Sequence, residues 1–470
     1  MTSVTTLALC ILTAGSISAQ EAVASKANES VIEEATEKLF RDSFVIDGVL
    51  NYTVKKDPSC RQNCQVRLVG LGKMTATCGV HVGAITVPGD LAKLRRIHAY
   101  VTKSPGGMVI ETFNDLWTAR RDGKYGVLLY SQQVPMLQGN PAGVHDWYRL
   151  GMRIVQPAYS SKIPVAHHRR LNKLAGGSDE PAQGLTPLGR KVIQEMVKLH
   201  MIVDVSHCSE KTTMDVIRLT GGKVPILANH ANAKALTVTF RGPMLLGRNK
   251  SNRELQAIAK TGGVIGINTV SWMLDRNADT RADMDDFLAH VDYVVTLVGI
   301  DHVGISSDAI VDGWAVDDIH YADAALASPK RWKILAQRLR KEYGYDREML
   351  AKVLGGNFKR VYEAVLPGMH APVGQHPNGG AVEPGEVTLS WLPARTRGLA
   401  RPEYECRIEE HVGDRWVERA VHAPLQDTKL EVKGLSAGSQ FRWQVTARSG
   451  RIEARSEPRT FRTSPRGVQR

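Results

Sequence analysis

Two histidines and an aspartate stand at the ends of short apolar runs in this sequence. His207 ends the run "MIVDVSH", His230 ends "VPILANH" and Asp308 ends "VGISSD". Two imidazoles and a carboxylate are a common ligand set for Zn²⁺ and similar ions. Taken singly, each histidine could be an ordinary hydrogen-bonded residue, and Asp308 could cap a following helix. Their shared position after apolar runs favours one metal-binding cup.

The elements that must position these residues are eight short β-rich runs, which alternate with amphipathic helical patterns. The runs are "FVIDGV", "GVHVGAITV", "GVLLYS", "GMRIVQPAY", "HMIVDVSH", "VPILANH", "GGVIGIN" and "DHVGISSD". Such alternation predicts parallel strands joined by helical crossovers. Eight units predict an α/β fold, a TIM-like (β/α)8 barrel whose active site lies at the carboxyl ends of the strands. An open doubly wound sheet is the alternative, but no G-x-G-x-x-G follows the first run.

Three further polar residues follow strands of this barrel. Asn51 comes after the first run, Gln132 after the third and Tyr159 within the end of the fourth. Because the carboxyl ends of barrel strands meet at one rim, we expect these side chains to surround the same cup. Tyr159 is predicted to contact the substrate there.

The composition divides the chain into four segments. Residues 1–20 have the apolar centre and small residues of an export signal, and that centre is too short to span a bilayer. Residues 30–370 are predicted to form the barrel, and residues 371–384 a linker rich in Pro and Gly. Residues 385–465 contain short alternating runs that predict a small all-β, immunoglobulin-like sandwich. We therefore expect a periplasmic or secreted protein without a transmembrane helix.

Charge and cysteine usage narrow the function classes. Lys and Arg exceed Asp and Glu by 61 to 48, for a net charge of +13, but the excess is spread along the chain. A nucleic-acid-binding protein should show a basic patch, so no nucleic-acid partner is predicted. Cys60 and Cys64 could pair in an oxidising compartment. Cys208, beside His207, is a candidate nucleophile, although buried packing is the favoured interpretation.

Several longer segments resemble, in the right order, the membrane (renal) dipeptidase family, peptidase family M19. These segments are "GLTPLGRKVIQEMVKLHMIVDVSHCSEKTTMDVI", "PILANHANAKAL", "GRNKSNRELQAIAKTGGVIGIN", "HVDYVVTLVGIDHVGISSD" and "LGGNFKRVYEAV". The resemblance extends from about residue 44 to residue 365. It implies a barrel with two zinc ions bridged by a glutamate, cleavage of dipeptides or related small amides, and the option of a homodimer.

The C-terminal runs resemble a fibronectin type III domain. Trp391 matches the core tryptophan of that fold, Leu435 matches the leucine before its characteristic turn, and Phe441 stands where the fold usually has Tyr. Domains of this kind usually bind or space other domains, so the barrel is expected to carry the chemistry.

Within the barrel, the resemblance assigns roles residue by residue. His207 and His230 match the two histidines of the family's second metal. Asp308 matches the aspartate that acts on the catalytic water. Arg248 matches the arginine that binds the substrate carboxylate, with Arg241 as the alternative if the alignment shifts.

The first half of the family's metal site is altered in this chain. Where the family has Asp-Gly-His-x-Asp, this sequence has "DGVLN", so that Val49 replaces the histidine and Asn51 the second aspartate. Gln132 replaces the bridging glutamate. Val49 cannot bind a metal, and amide oxygens hold a divalent ion poorly. We therefore expect one zinc rather than two, at His207 and His230.

Three functional hypotheses follow. The first is a metal-dependent hydrolase of small peptide-like substrates, with Asp308 and Gln132 as catalytic residues and Arg248 and Tyr159 as substrate-binding residues. The second is a catalytically impaired relative that only binds a small peptide-like ligand. The third is an interaction protein in which the sandwich acts and the barrel is a scaffold.

Overall fold

The parts of the chain that the structure describes contain both predicted folds. A computed structural model describes residues 19–51, 71, 76, 78–87, 91–132, 141–159, 175, 183–238, 248–277, 281–310, 323–369, 372–377, 380–394, 401–450 and 452–465. Most of the predicted signal peptide lies outside the described residues, as do Cys60, Cys64 and Arg241. Among the described residues, no helix is both long and apolar enough to cross a membrane.

A parallel barrel forms the first fold, as predicted. Its eight strands follow the order β7-β6-β5-β3-β1-β10-β9-β8, and a parallel bridge between Asp204 and Leu227 joins the two ends of this order. β4 adds to the edge of β5, and β2 pairs with β11. The strands are β1 (Ile46–Asp47), β2 (Leu50–Asn51), β3 (Val82–Thr86), β4 (Gly107–Val109), β5 (Tyr125–Ser131), β6 (Met152–Val155), β7 (Ile202–Val203), β8 (Leu227–Ala228), β9 (Val264–Asn268), β10 (Val303–Ser306) and β11 (Ala309–Ile310).

The amphipathic patterns that alternate with the β-rich runs form helices of this fold. Short polar caps begin several of them: the side chains of Thr186, Ser209 and Ser251 each accept a hydrogen bond from the first turn that follows. The helices are α1 (Ala19–Asp42), α2 (Leu91–Lys103), α3 (Phe113–Arg121), α4 (Gly143–Arg149), α5 (Pro187–Lys198), α6 (Glu210–Leu219), α7 (Asn252–Lys260), α8 (Ser271–Leu274), α9 (Met284–Val298), α10 (Ala324–Ala327), α11 (Arg331–Tyr343), α12 (Arg347–Ala351) and α13 (Asn357–Val365).

Apolar side chains fill the interior of the barrel. Val49, Val82, Tyr130 and Ile202 belong to one buried cluster, and Val49 is fully buried. Burial of such side chains is worth roughly 1.5–3 kcal/mol each. The position where the family has a metal-binding histidine therefore belongs to the packed core.

The C-terminal fold is the predicted all-β sandwich. One sheet has the order β12-β14-β17; the other has the order β13-β20-β18-β15-β16, with β19 beside β18. Trp391 lies in the core between Tyr404 and Trp443, with ring centroids 5.7 and 6.4 Å away. The strands are β12 (Val373–His376), β13 (Ala381–Val382), β14 (Glu386–Leu392), β15 (Glu403–Val412), β16 (Arg415–Leu425), β17 (Lys429–Lys433), β18 (Gln440–Ser449), β19 (Ile452–Arg455) and β20 (Arg459–Thr463).

Candidate active site

The imidazoles of His207 and His230 meet at the carboxyl rim of the barrel. Their Nε2 atoms lie 3.1 Å apart, and the two residues are 4% and 0% exposed. His207 lies four residues after β7 and His230 two residues after β8, and these strands are neighbours in the barrel. The turn after His207 leads directly into the Ser209 cap of α6, which fixes where that turn ends.

Two predicted rim residues contact this histidine pair. The Nε2 atom of Gln132 lies 3.4 Å from Nε2 of His230. The ring of Tyr159 stacks on His207, with centroids 4.1 Å apart and 18° between the ring planes. Gln132 and Tyr159 thus line the cup on the side of β5 and β6, as their positions in the sequence suggest.

A buried guanidinium lies directly behind the histidine turns. Arg248 donates from Nη1 to the carbonyl of Ser206 at 2.9 Å and from Nη2 to the carbonyl of His230 at 2.8 Å. It is 2% exposed; burial lowers the pKa of its guanidinium, and the negative charge of Asp308 acts in the opposite direction. A guanidinium has five N–H donors, so these two bonds leave it able to bind a carboxylate as well.

Asp308 follows β10, in a turn rather than at a helix start. It has a φ of 51°, and the chain continues into β11, so its predicted alternative role as a helix cap is wrong. Its backbone N–H donates to the carbonyl of Val49 at 2.7 Å. Asn268 donates from Nδ2 to the Asp308 carboxylate at 3.4 Å. The left-handed backbone is tolerated by Asp and holds its half-buried side chain at the rim.

Beneath the histidines lies a buried polar network that sequence reasoning missed. Asp204 is fully buried, and its Oδ1 accepts the Ser206 hydroxyl at 2.6 Å and the Asn229 N–H at 3.0 Å. The Tyr130 hydroxyl lies within hydrogen-bond distance of the other carboxylate oxygen of Asp204. Nδ1 of His230 lies 2.7 Å from Oδ1 of Asn229. A charged residue inside the apolar run "MIVDVSH" was the available signal.

Burial and nearby cations set the protonation of the histidines. Burial lowers the pKa of both His207 and His230 well below the ordinary value, and the charge of Arg248 lowers it further. Both rings are therefore neutral at pH 7, which is the form that binds metal ions. Burial also raises the pKa of the Cys208 thiol to about 12, which supports packing rather than nucleophilic attack.

The histidine pair fits two positions of one metal ion. Two nitrogens bound to a tetrahedral zinc at 2.0–2.1 Å lie about 3.3 Å apart, close to the 3.1 Å seen here. The described residues contain no group of three or more His, Cys, Asp and Glu side chains that could hold a metal. A third ligand from Gln132, Asp308, water or substrate is therefore needed.

Two positions of this chain, Val49 and Asn51, correspond to ligands of the family's first metal. Val49 is packed in the barrel interior. The backbone of Asn51 pairs with Ile310 in the short β2–β11 sheet at the rim. The described residues thus give no support for a second ion.

The fold and this rim site define a (β/α)8-barrel protein with histidines at the carboxyl ends of neighbouring strands. The chain belongs to the membrane dipeptidase family, peptidase family M19, whose sequence profile matches residues 76–368. This match covers most of the barrel.

Similar proteins agree with this membership. A 255-residue region is 31% identical to an uncharacterized Klebsiella pneumoniae protein from the pqqA 5' region and covers 53% of this chain and 86% of that protein. Dipeptidase tcpJ of Claviceps purpurea is 27% identical over 253 residues, which are 54% of each chain. The chain thus spans about half the length of that relative. An amidohydrolase structure from Pseudomonas aeruginosa has a TM-score of 0.59 at 22% identity and covers 70% of this chain and 99% of its own.

A further solved structure shares the barrel fold. The metallopeptidase of Rhodobacter sphaeroides, liganded with a phosphinate mimic of the dipeptide L-Ala-D-Ala, has a TM-score of 0.51 at 20% identity and covers 69% of this chain and 99% of its own. At this level of identity, the likeness shows the fold alone.

Proposed function

We propose that the protein is a metal-dependent hydrolase that cleaves a small peptide-like amide in the cup between His207 and His230. The observation that carries the proposal is the 3.1 Å approach of the two Nε2 atoms at the carboxyl rim. Membership of the dipeptidase family supports a peptide-like substrate. One zinc ion is proposed, because Val49 and Gln132 stand at two ligand positions of the family and the described residues contain no group of three or more His, Cys, Asp and Glu side chains that could hold a metal.

The remaining residues of the cup would bind and orient the substrate. A zinc ion held by His207 and His230 would supply polarisation of the carbonyl and a water of lowered pKa. Arg248 would bind the substrate carboxylate through its remaining N–H groups. Asp308 would accept and return the proton that moves during hydrolysis.

Gln132 and Tyr159 would complete this arrangement. The amide of Gln132 can rotate to present its oxygen as a third, neutral ligand, and it also can donate to a developing oxyanion. The ring of Tyr159, stacked on His207, would restrict that imidazole and form one wall for the substrate.

A second candidate is a binding protein that does not hydrolyse its peptide-like ligand. The observation that favours it is that the described residues contain no group of three or more His, Cys, Asp and Glu side chains that could hold a metal. In this case Arg248, Tyr159 and the neutral histidines would hold the ligand by hydrogen bonds and packing. The third hypothesis, with the sandwich as the functional part, stays a prediction.

Metal content and turnover distinguish the two candidates. Purified protein should contain about one zinc by elemental analysis and should cleave some members of a dipeptide panel with zinc, manganese or cobalt. His207→Asn should lose both properties, whereas His200→Asn, at the other end of β7, should keep them. Zinc-free protein that binds dipeptides without cleaving them would favour the second candidate, and two zinc ions would contradict the proposed one-metal site.

Export and assembly are separate parts of the proposal. Residues 1–20 support a periplasmic or secreted location, and the family resemblance supports a homodimer. N-terminal sequencing of the mature protein and light scattering test them. A retained N-terminus and a monomeric mass would contradict them.

A further inference from the structure

We propose that Asn229 is a positioning residue that fixes the tautomer of His230, so that the proton lies on Nδ1 and the lone pair of Nε2 faces the cup. The observation behind it is the 2.7 Å distance between Oδ1 of Asn229 and Nδ1 of His230. Both residues are fully buried, so water cannot replace this partner. The inference rests on the proposed function only in taking Nε2 as the atom that meets a metal ion.

The orientation of the Asn229 amide follows from its second contact. Its Nδ2 donates to the carbonyl of Gly48 at 3.2 Å, and a carbonyl can only accept. The amide oxygen is therefore the atom that faces His230. Because that oxygen can only accept as well, the imidazole must donate from Nδ1, and a neutral ring then has no proton on Nε2.

The surrounding backbone keeps Asn229 from moving. The Asn229 N–H donates to Oδ1 of Asp204 at 3.0 Å. The carbonyl oxygen of Asn229 would lie 2.3 Å from a Cβ at Gly48 and 2.2 Å from one at Gly266, so the chain passes closely between two glycines. Asn229 is thus held at both its main chain and its side chain, and the proton on His230 is fixed before any ligand arrives.

The groups on the other side of His230 agree with this tautomer. Nε2 of Gln132 is an amide donor at 3.4 Å, and Nε2 of His207 lies at 3.1 Å. Either one can donate to the single lone pair of an unprotonated Nε2 of His230. An incoming ion would replace that donor at the same lone pair. Removal of a residue that hydrogen-bonds to a metal-binding histidine typically lowers metal affinity 10–100-fold.

Histidine-selective ¹⁵N labelling and long-range ¹H–¹⁵N NMR of metal-free protein at pH 7 test the tautomer directly. The signals of His230 are assigned by their loss in His230→Gln. The wild type and Asn229→Asp, which keeps an acceptor, should show a proton on Nδ1 of His230. Asn229→Leu should shift the proton towards Nε2. Asn232→Leu is the matched control, because Asn232 is equally buried and bonded nearby, to Asn268 and Met273 rather than to His230.

A wild-type signal with the proton on Nε2, or an unchanged tautomer in Asn229→Leu, would overturn the inference. If Asn229→Leu does not fold, the wild-type and Asn229→Asp spectra still decide it. Calorimetric titration with Zn²⁺ then tests the consequence: affinity should fall 10–100-fold in Asn229→Leu and stay unchanged in Asn232→Leu. Wild-type protein that binds no Zn²⁺ would contradict the proposed function and leave the tautomer result standing, whereas equal affinity of wild type and Asn229→Leu would contradict the positioning role.

Discussion

The carboxyl group of Asp47 accepts the backbone N–H of Ser307 at 2.8 Å and so joins the carboxyl ends of β1 and β10. Trp332 donates to the second oxygen of Asp47 at 3.2 Å. The next residue after Ser307 is Asp308, whose own N–H bonds to Val49. Asp47 therefore holds the turn that carries the proposed proton acceptor, and it does so from full burial.

This buried carboxyl should make stability depend on pH. Burial raises the pKa of Asp47 from 3.8 to about 7, so the folded state keeps a proton that the unfolded state releases between these values. Stability should therefore fall as pH rises through this range. Relative to Asp47→Asn, the unfolding free energy of the wild type should fall by about 2 kcal/mol between pH 5 and pH 7. Urea unfolding at several pH values measures this change in unfolding free energy. Asp414→Asn, in an exposed turn, is the control. Parallel curves of unfolding free energy against pH for the wild type and Asp47→Asn would contradict the prediction.

Restoring an acidic ligand should strengthen metal binding. Gln132 lies 3.4 Å from His230, and Gln132→Glu replaces its amide by a carboxylate of nearly the same shape. A negative oxygen beside the histidine pair should tighten Zn²⁺ binding by at least about tenfold, measured by calorimetry. The same change in a His230→Gln background should give little gain, because the pair is then broken. A gain of equal size in both backgrounds would mean that position 132 does not share an ion with His230.

Arg248 should be sensitive to loss of its planar geometry as well as its charge. Arg248→Lys keeps the charge but cannot bond the carbonyls of Ser206 and His230 in the same way. We expect about 1–3 kcal/mol lower stability in urea and weaker binding of dipeptides. Dipeptide amides, which lack the carboxylate, should lose less affinity. Arg253→Lys on the surface of α7 is the control, and an equal loss for dipeptides and their amides would show that Arg248 does not bind the carboxylate.

Much of the barrel was predictable because its strands are apolar runs that end in polar residues. The runs that end at His207 and His230 specify both a buried strand and a polar tip, and serine caps mark where the next helices begin. Parallel strands with helical crossovers then leave few alternatives for how those tips are placed. The convergence of the two rings follows from this topology.

Other features depend on contacts that no local pattern encodes. The strand Arg415–Leu425 has only a weak signal in the sequence, because it lies at a sheet edge, where most of its side chains are exposed and apolar alternation is weak. The network of Asp204 and Asn229 depends on which amide atom faces His230, which only the neighbouring carbonyl of Gly48 decides. Sequence could flag Asp204 as a buried charge but could not supply its partners.

The close passage of the chain at Gly266 gives a prediction that links packing to the site. A Cβ at Gly266 would lie 2.2 Å from the carbonyl oxygen of Asn229 and 3.1 Å from the ring of Phe358. A backbone carbonyl cannot move aside as easily as the end of a flexible side chain. Gly266→Ala should therefore displace the turn that holds His230. We expect a loss of about 1–3 kcal/mol in urea unfolding and weaker Zn²⁺ binding in calorimetry. Gly380→Ala is the control, because a Cβ there would meet no atom within 4 Å, and it should change stability by less than about 0.5 kcal/mol. If Gly266→Ala is destabilised but binds Zn²⁺ with normal affinity, this turn does not set the position of His230.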